Sequence, residues 1–253
     1  MKVLIIGYGV VGKNMHKIFP NADTYDCNNA KGNTNKDIEY DVAFVCVPTD
    51  MKNDGSCDTS IVEQVIKEHS AKVFCIKSTV IPGTTEKLNS IKPCIFSPEY
   101  FGGTQHANGG EYNFTILGGK MKLCNIVASA YQEIMTGDFE FKFTDSTTAE
   151  VCKYMENAFL AMKVSFCNEF GRIAKCFGIE YKELRELFLM DSRVNRSHTF
   201  VYEDAPFYDS HCLNKDVPGI IKACEVKGYS ADLLKQMHAI NSYYKGVKNV
   251  NKV

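Results

Sequence analysis

The sequence predicts an α/β fold, a doubly wound and largely parallel sheet over residues 1–145 followed by an all-helical domain over 146–253. Three observations predict it. Short β-rich apolar runs alternate with helix-compatible stretches through the first half. A glycine-spaced turn follows the first of those runs. From about Asp145 the β-type runs stop, and long helical stretches with few prolines take over.

The first strand is Val3–Ile6. Asp41–Val47 and Lys72–Ser78 are nearly continuous apolar runs, and Pro93–Ser97 is a shorter one. Such runs suit parallel strands covered on both faces. Thr59–His69 sets Ile61, Val62, Val65 and Ile66 on one side of a helix. Phe114–Leu117 and Phe139–Phe143 add strands at the far end. Thr147 and Glu150 have the spacing of a capping box, and a helix is expected from there to about Phe177, with Gly171 inside it. A second helix covers about Tyr181–Leu189. A polar and aromatic loop runs from Asp191 to Leu213. Two closing helices cover about Val217–Lys227 and Ala231–Lys245.

Composition narrows the function classes. The 253 residues are 45% hydrophobic and 23% charged, with a formal net charge of −1. Neither a basic nucleic-acid surface nor a membrane partner is expected, since no apolar run approaches the ~20 residues of a bilayer span. The first residues run into a glycine pattern rather than a cleavage site, so the expected location is cytoplasmic. The eleven cysteines are scattered without a C-x-x-C pair, as befits reduced thiols. The six histidines have no ligand-like spacing, and no metal is expected.

The glycine turn is Gly7-Tyr8-Gly9-Val10-Val11-Gly12, a G-x-G-x-x-G between a strand and a helix, with Asp26 closing the next strand. This is the dinucleotide fingerprint of a Rossmann-type domain. Gly7 permits the tight turn, Gly9 lets the backbone approach a pyrophosphate, and Gly12 lets helix pack on strand. Val10 and Val11 open the helix whose N-terminus faces the phosphates. Asp26 would accept hydrogen bonds from the adenosine ribose. An acidic group there repels a 2′-phosphate, so NAD is the expected cofactor rather than NADP.

A set of ordered motifs then resembles the UDP-glucose/GDP-mannose dehydrogenase family. Val47-Pro48-Thr49-Asp50 with Asp54-Gly55-Ser56 is similar to its V-P-T-P…D-G-S segment. Lys77-Ser78-Thr79-Val80 resembles K-S-T-V, and Ser97-Pro98-Glu99-Tyr100-Phe101 resembles (N/S)-P-E-F-L. Ala149-Glu150 with Lys153, Asn157 and Ala158 matches A-E-x-x-K-x-x-x-N-A, and Asn168-Glu169 its following N-E. Asp191-Ser192-Arg193 resembles D-x-R, and Cys212-Leu213-Asn214-Lys215-Asp216 resembles C-F-P-K-D.

The resemblance implies an oxidoreductase that converts a nucleotide-sugar C6 alcohol, UDP-glucose or a similar UDP-sugar, to a carboxylate in two hydride transfers. It implies Cys212 as nucleophile, Lys153 as the cation at the C6 oxygen, Asn157 as an orienting group, Asp216 as a group that positions water, and Glu99 as a water-activating acid. Thr79 falls at the carboxyl edge of the sheet. Lys31, Thr49, Thr79 and Lys215 fall where the family contacts NAD. Glu99, Tyr100, Phe101, Lys153, Asn157, Arg193 and Tyr208 fall at its substrate, with Arg193 donated across a homodimer built on the helical domain.

Three departures stand out. Gly103 occupies the place of the family's second glutamate. Tyr208-Asp209-Ser210-His211 replaces F-G-G-S before the cysteine. The sequence ends soon after a helix like the start of the family's central one (Met237–Lys245), before the second α/β domain that holds the nucleotide, so a short form is expected. Two other functions stay open at this point: a β-hydroxyacid-type dehydrogenase, and an NAD-binding partner protein without turnover.

Overall fold

The computed structural model describes residues 1–27, 38–101, 113–135 and 137–250. Lys31 and Gly103 lie outside the described residues. Two compact units divide the chain between Tyr154 and Met155.

The first unit carries a seven-stranded sheet in the order β2-β1-β3-β4-β5-β6-β7. Its strands are β1 (Val3–Ile6), β2 (Asp23–Tyr25), β3 (Tyr40–Val45), β4 (Ala71–Ile76), β5 (Cys94–Phe96), β6 (Phe114–Gly118) and β7 (Glu140–Thr144). Strands β1 to β5 pair in parallel, β6 runs antiparallel to β5, and β7 is parallel to β6. The helices are α1 (Val10–Ile18), α2 (Ser60–Glu68), α3 (Thr84–Leu88) and α4 (Met121–Gln132).

Side chains alternate between the two faces of a strand, so continuous apolar runs fill two cores. Leu4, Ile6, Ala43, Val45, Phe74 and Ile76 pack with Val62, Val65 and Ile66 of α2 and Leu88 of α3. Ile5, Val42, Phe44, Val73 and Cys75 pack on the other face with Met15 of α1 and Val127 and Tyr131 of α4. Each such aliphatic or aromatic side chain contributes about 1.5–3 kcal/mol on burial. The winding reverses between β1 and β3, and crevices at such a reversal, beyond the carboxyl ends of the strands, are where open α/β sheets take ligands.

Helix α5 (Ser146–Cys176) supplies residues to both units. Its start differs from the capping box the spacing suggests. Asp145 caps it, with Oδ1 accepting the Thr148 N–H at 2.8 Å and Oδ2 accepting the Thr148 hydroxyl at 2.5 Å. Glu150 is fully buried and works elsewhere: its carboxylate accepts the Gly83 and Thr85 N–H groups at 2.5 and 2.8 Å, capping α3. A carboxylate can satisfy any orphan helix donor within reach, and here the nearest are tertiary.

The second unit adds α6 (Tyr181–Phe188), α7 (His211–Val226) and α8 (Asp232–Val250). Ala161 and Val164 of α5, Leu213, Val217 and Ile221 of α7, and Met237 of α8 form its core around Tyr208. Helix α7 begins six residues before the expected Val217. Ser210 caps it by accepting the Leu213 N–H at 3.2 Å, and Pro218 lies inside it. A proline marks a helix start in sequence, yet an interior one costs one i→i−4 bond, and a capped first turn with a buried Leu213, Val217 and Ile221 face outweighs that.

Candidate functional site

The glycine turn is built as a cradle. Gly7 has φ +92°, and a Cβ there would stand 2.6 Å from the Cys46 carbonyl oxygen at the end of β3. At Gly12 a Cβ would stand 1.9 Å from the Gly7 carbonyl oxygen. Both positions need glycine for close packing. At Gly9 a Cβ would meet nothing within 4 Å. Gly9 is also the N-cap of α1, so no side chain caps the N–H groups of the first turn, where Val10 and Val11 lie. Open space before uncapped donors at a helix N-terminus suits a pyrophosphate. Asp26 follows β2, and its Oδ2 accepts the Tyr8 N–H at 2.7 Å, tying the end of β2 to the turn.

A second set of predicted residues lies beyond the carboxyl ends of β3, β4 and β5 in the same unit. Thr49 is buried, and its hydroxyl donates to the Thr79 carbonyl at 2.8 Å, so this side chain joins two strand ends. Thr79 is itself 8% exposed. Glu99 accepts the Phe101 N–H at 2.8 Å. Lys153 is 6% exposed, with Nζ 5.2 Å from the centre of the Tyr100 ring, a cation–π contact. Lys77, absent from the sequence-derived set, belongs here: its buried ammonium donates to the Ser97 hydroxyl at 3.0 Å and the Pro98 carbonyl at 3.2 Å. Its signal in the sequence was its place at the head of the Lys77-Ser78-Thr79-Val80 motif, just past a strand.

The helical unit gathers a third set. Cys212 is exposed in the first turn of α7. Asp216 lies four residues on, hence on the same face. It is 2% exposed, with Oδ2 accepting Asn157 Nδ2 at 2.6 Å and Oδ1 accepting Lys215 Nζ at 2.6 Å. A buried carboxylate with an ammonium on one oxygen and an amide on the other is held in a fixed orientation.

Tyr208 is placed differently from an open substrate contact. It is 1% exposed in the unit's core, its hydroxyl meets His238 Nδ1 at 3.0 Å, and the Asn241 amide brackets its backbone at 2.8 and 3.1 Å. The altered loop before Cys212 is thus anchored on α8. Arg193 is 87% exposed and held by Asp191 at 2.5 Å. A cavity of about 610 Å³ in this unit, lined by Arg172, Arg185, Tyr181 and Tyr244 among others, contains none of the predicted site residues. Among the described residues no cluster is arranged to hold a metal ion, and no helix is long and apolar enough to cross a membrane.

Comparison with known proteins adds independent findings. Residues 23–97 match the NAD binding domain, and residues 147–243 the central domain, of the UDP-glucose/GDP-mannose dehydrogenase family. The UDP-glucose 6-dehydrogenase of Haloferax volcanii is 28% identical over 231 residues, 81% of this chain and 53% of that protein. The GDP-mannose 6-dehydrogenase of Pseudomonas aeruginosa is 29% identical over 205 residues, 71% of this chain and 46% of that protein. The chain therefore spans about half the length of the curated relatives it matches. In fold it is similar to a UDP-glucose dehydrogenase from Pyrobaculum islandicum, with a TM-score of 0.79, 21% identity and coverage of 96% of this chain and 68% of that one. The glycine cradle precedes the first matched residue, so it supports a dinucleotide on geometry alone. With both family domains matched in order on this fold, the chain belongs to the UDP-glucose/GDP-mannose dehydrogenase family of NAD-dependent nucleotide-sugar oxidoreductases.

Proposed function

We propose that the protein oxidises the C6 alcohol of a UDP-sugar, UDP-glucose first among them, to the carboxylate. The observation that carries this reading is the Cys212 thiol on a capped first turn, with the Asn157–Asp216–Lys215 network beginning one turn further on. A simple alcohol oxidation needs no thiol, whereas reaching the carboxylate through a covalent intermediate does. NAD⁺, when bound, accepts the hydride that leaves C6 in each of the two oxidations. Gly9 and the first turn of α1 would hold its pyrophosphate, on a turn that Gly7 and Gly12 allow to pack closely, and Asp26 would hold its ribose.

The chain's own groups divide the rest. Lys153 contacts the C6 oxygen and offsets negative charge on it, and Asn157 orients the sugar. The Cys212 thiolate adds to the aldehyde carbon, giving a thiohemiacetal. Loss of the second hydride leaves a thioester. Asp216 positions the water that adds to the thioester carbonyl, and the departing thiolate restores Cys212. Glu99 and Thr79, at the sheet edge, serve the water and the C6 oxygen.

Two further readings accompany it. The outward face of α8 carries Leu233, Ile240 and Tyr243, 67%, 47% and 65% exposed, beside the inward Met237. That second apolar face and the exposed Arg193 favour a homodimer through the helical unit. None of the eleven cysteines is in a disulfide, which favours a reducing compartment such as the cytoplasm.

The test is NADH release from UDP-glucose, GDP-mannose and UDP-N-acetylmannosamine in parallel, with products identified by mass spectrometry. Turnover of UDP-glucose to its C6 acid is expected. Oxidation of the GDP-sugar alone would replace the substrate assignment, and no acid from any of the three would overturn the reading.

A further inference from the structure

Lys77 lies one residue beyond the end of β4, 4% exposed. Burying an ammonium is costly unless its hydrogen bonds and countercharge are supplied. Here both come from one short segment. Nζ donates to the Ser97 hydroxyl at 3.0 Å and the Pro98 carbonyl at 3.2 Å. The charged or titratable groups around it are Cys46 beyond β3, Cys75 in β4, Glu99 beyond β5 and Lys153 on α5. Burial raises both thiols, Cys75 to about 12, so they are neutral. Glu99 is therefore the anion that faces Lys77, and Lys153 the cation. Burial is the main influence drawing the Lys77 ammonium below its ordinary value.

The backbone explains why an anchor is needed there. Ladder bonds end where Ser97 N–H meets the Ile76 carbonyl at 2.9 Å. Pro98 has no N–H to extend them. Past that point the Lys77 side chain ties the end of β4 to Ser97 and Pro98 and so to the residues that follow. Those residues are Glu99, whose carboxylate turns back to the Phe101 N–H, and Tyr100, whose ring lies 5.2 Å from Lys153 Nζ.

We infer that Lys77 is a positioning residue for this site, fixing the Pro98–Tyr100 segment through the Ser97 hydroxyl and Pro98 carbonyl and thereby setting where Tyr100 and Glu99 stand about Lys153. The inference rests on the proposed role of Lys153 at the C6 oxygen for its meaning in catalysis, but not for its geometry. Lys77 touches no reacting atom. Its removal leaves the catalytic groups present and misplaced, and a misplacement of about 1 Å costs on the order of 10²-fold in turnover.

The experiment is NMR of the full chain labelled with ¹³C-lysine, reading the ε-methylene protons of Lys153, identified by their loss in Lys153→Arg. The Tyr100 ring current should displace these protons upfield in the native protein, as Tyr100→Leu would verify. Lys77→Met is expected to abolish the displacement and lower kcat on the order of 10²-fold without changing KM for NAD⁺. Lys77→Arg should restore both in part. Should Lys77→Met fail to fold, Ser97→Ala removes one anchor while keeping the charge, and a reduced displacement is expected. An unchanged Lys153 signal in a folded Lys77→Met or in Ser97→Ala overturns the inference. Loss of the displacement in a chain that makes no sugar acid would sustain the positioning and sink the proposed reaction instead.

Discussion

At Gly9 an added methyl enters open space, whereas at Gly12 it meets the Gly7 carbonyl oxygen at 1.9 Å. The two positions therefore fail in different ways. Gly12→Ala should destabilise the first unit by ~3 kcal/mol through overpacking against backbone, visible as a lowered denaturant midpoint. Gly9→Ala should leave that midpoint unchanged and weaken NAD⁺ binding at least tenfold by calorimetry, about 1.4 kcal/mol; unaltered binding would show that the pyrophosphate does not pass there. Asp216 is the residue to test in the helical unit. Asp216→Ala removes the acceptor of the Asn157 amide and of the Lys215 ammonium, each bonded to it at 2.6 Å, and should cost about 1–3 kcal/mol in unfolding free energy. At this scale the sequence was informative wherever a motif demands a residue type, as at Gly7, Gly12 and Asp26. It was silent on the partners of the Lys77 ammonium and on the clamp of Asn241 around Tyr208, since those depend on which strand end or helix comes alongside.

Glu150 shows the same limit for an element. Its spacing from Thr147 suits a local capping box, but the carboxylate reaches Gly83 and Thr85 across the fold. Glu150→Ala leaves two donors without acceptors at the start of α3 and should destabilise the unit by about 2–4 kcal/mol; thermal unfolding of the variant checks this, and a loss below about 0.5 kcal/mol would contradict it. The strands were legible because a sheet covered on both faces writes itself as nearly continuous apolar runs, as in Tyr40–Val45 and Ala71–Ile76. The direction of β6 was not, because nothing in Phe114–Gly118 distinguishes a parallel from an antiparallel neighbour. The early start of α7 was obscured by Pro218, although Ser210 carried the capping signal. That difference matters, since it puts Cys212 on a helix turn rather than in a loop.

The whole molecule adds association and pH dependence. With Leu233 and Ile240 outward on α8, the double substitution Leu233→Glu, Ile240→Glu should convert a dimer to a monomer by light scattering, while a native chain that is already monomeric would remove the dimer reading. Burial holds His238 below its ordinary 6.5, so the unfolded chain takes up that proton first as pH falls. This contribution to stability is present above pH 6.5 and lost as pH falls through the lowered folded value. His238→Gln should flatten the fall in unfolding midpoint below that pH; an unchanged slope would assign the acid sensitivity elsewhere. The central claim is that Cys212 carries a UDP-sugar through two oxidations, and the stoichiometry of NADH to sugar acid tests it most directly. Two NADH per acid from the native chain, and no acid from Cys212→Ser, is the predicted result. One NADH per product, or equal acid formation by the Cys212→Ser chain, would contradict it.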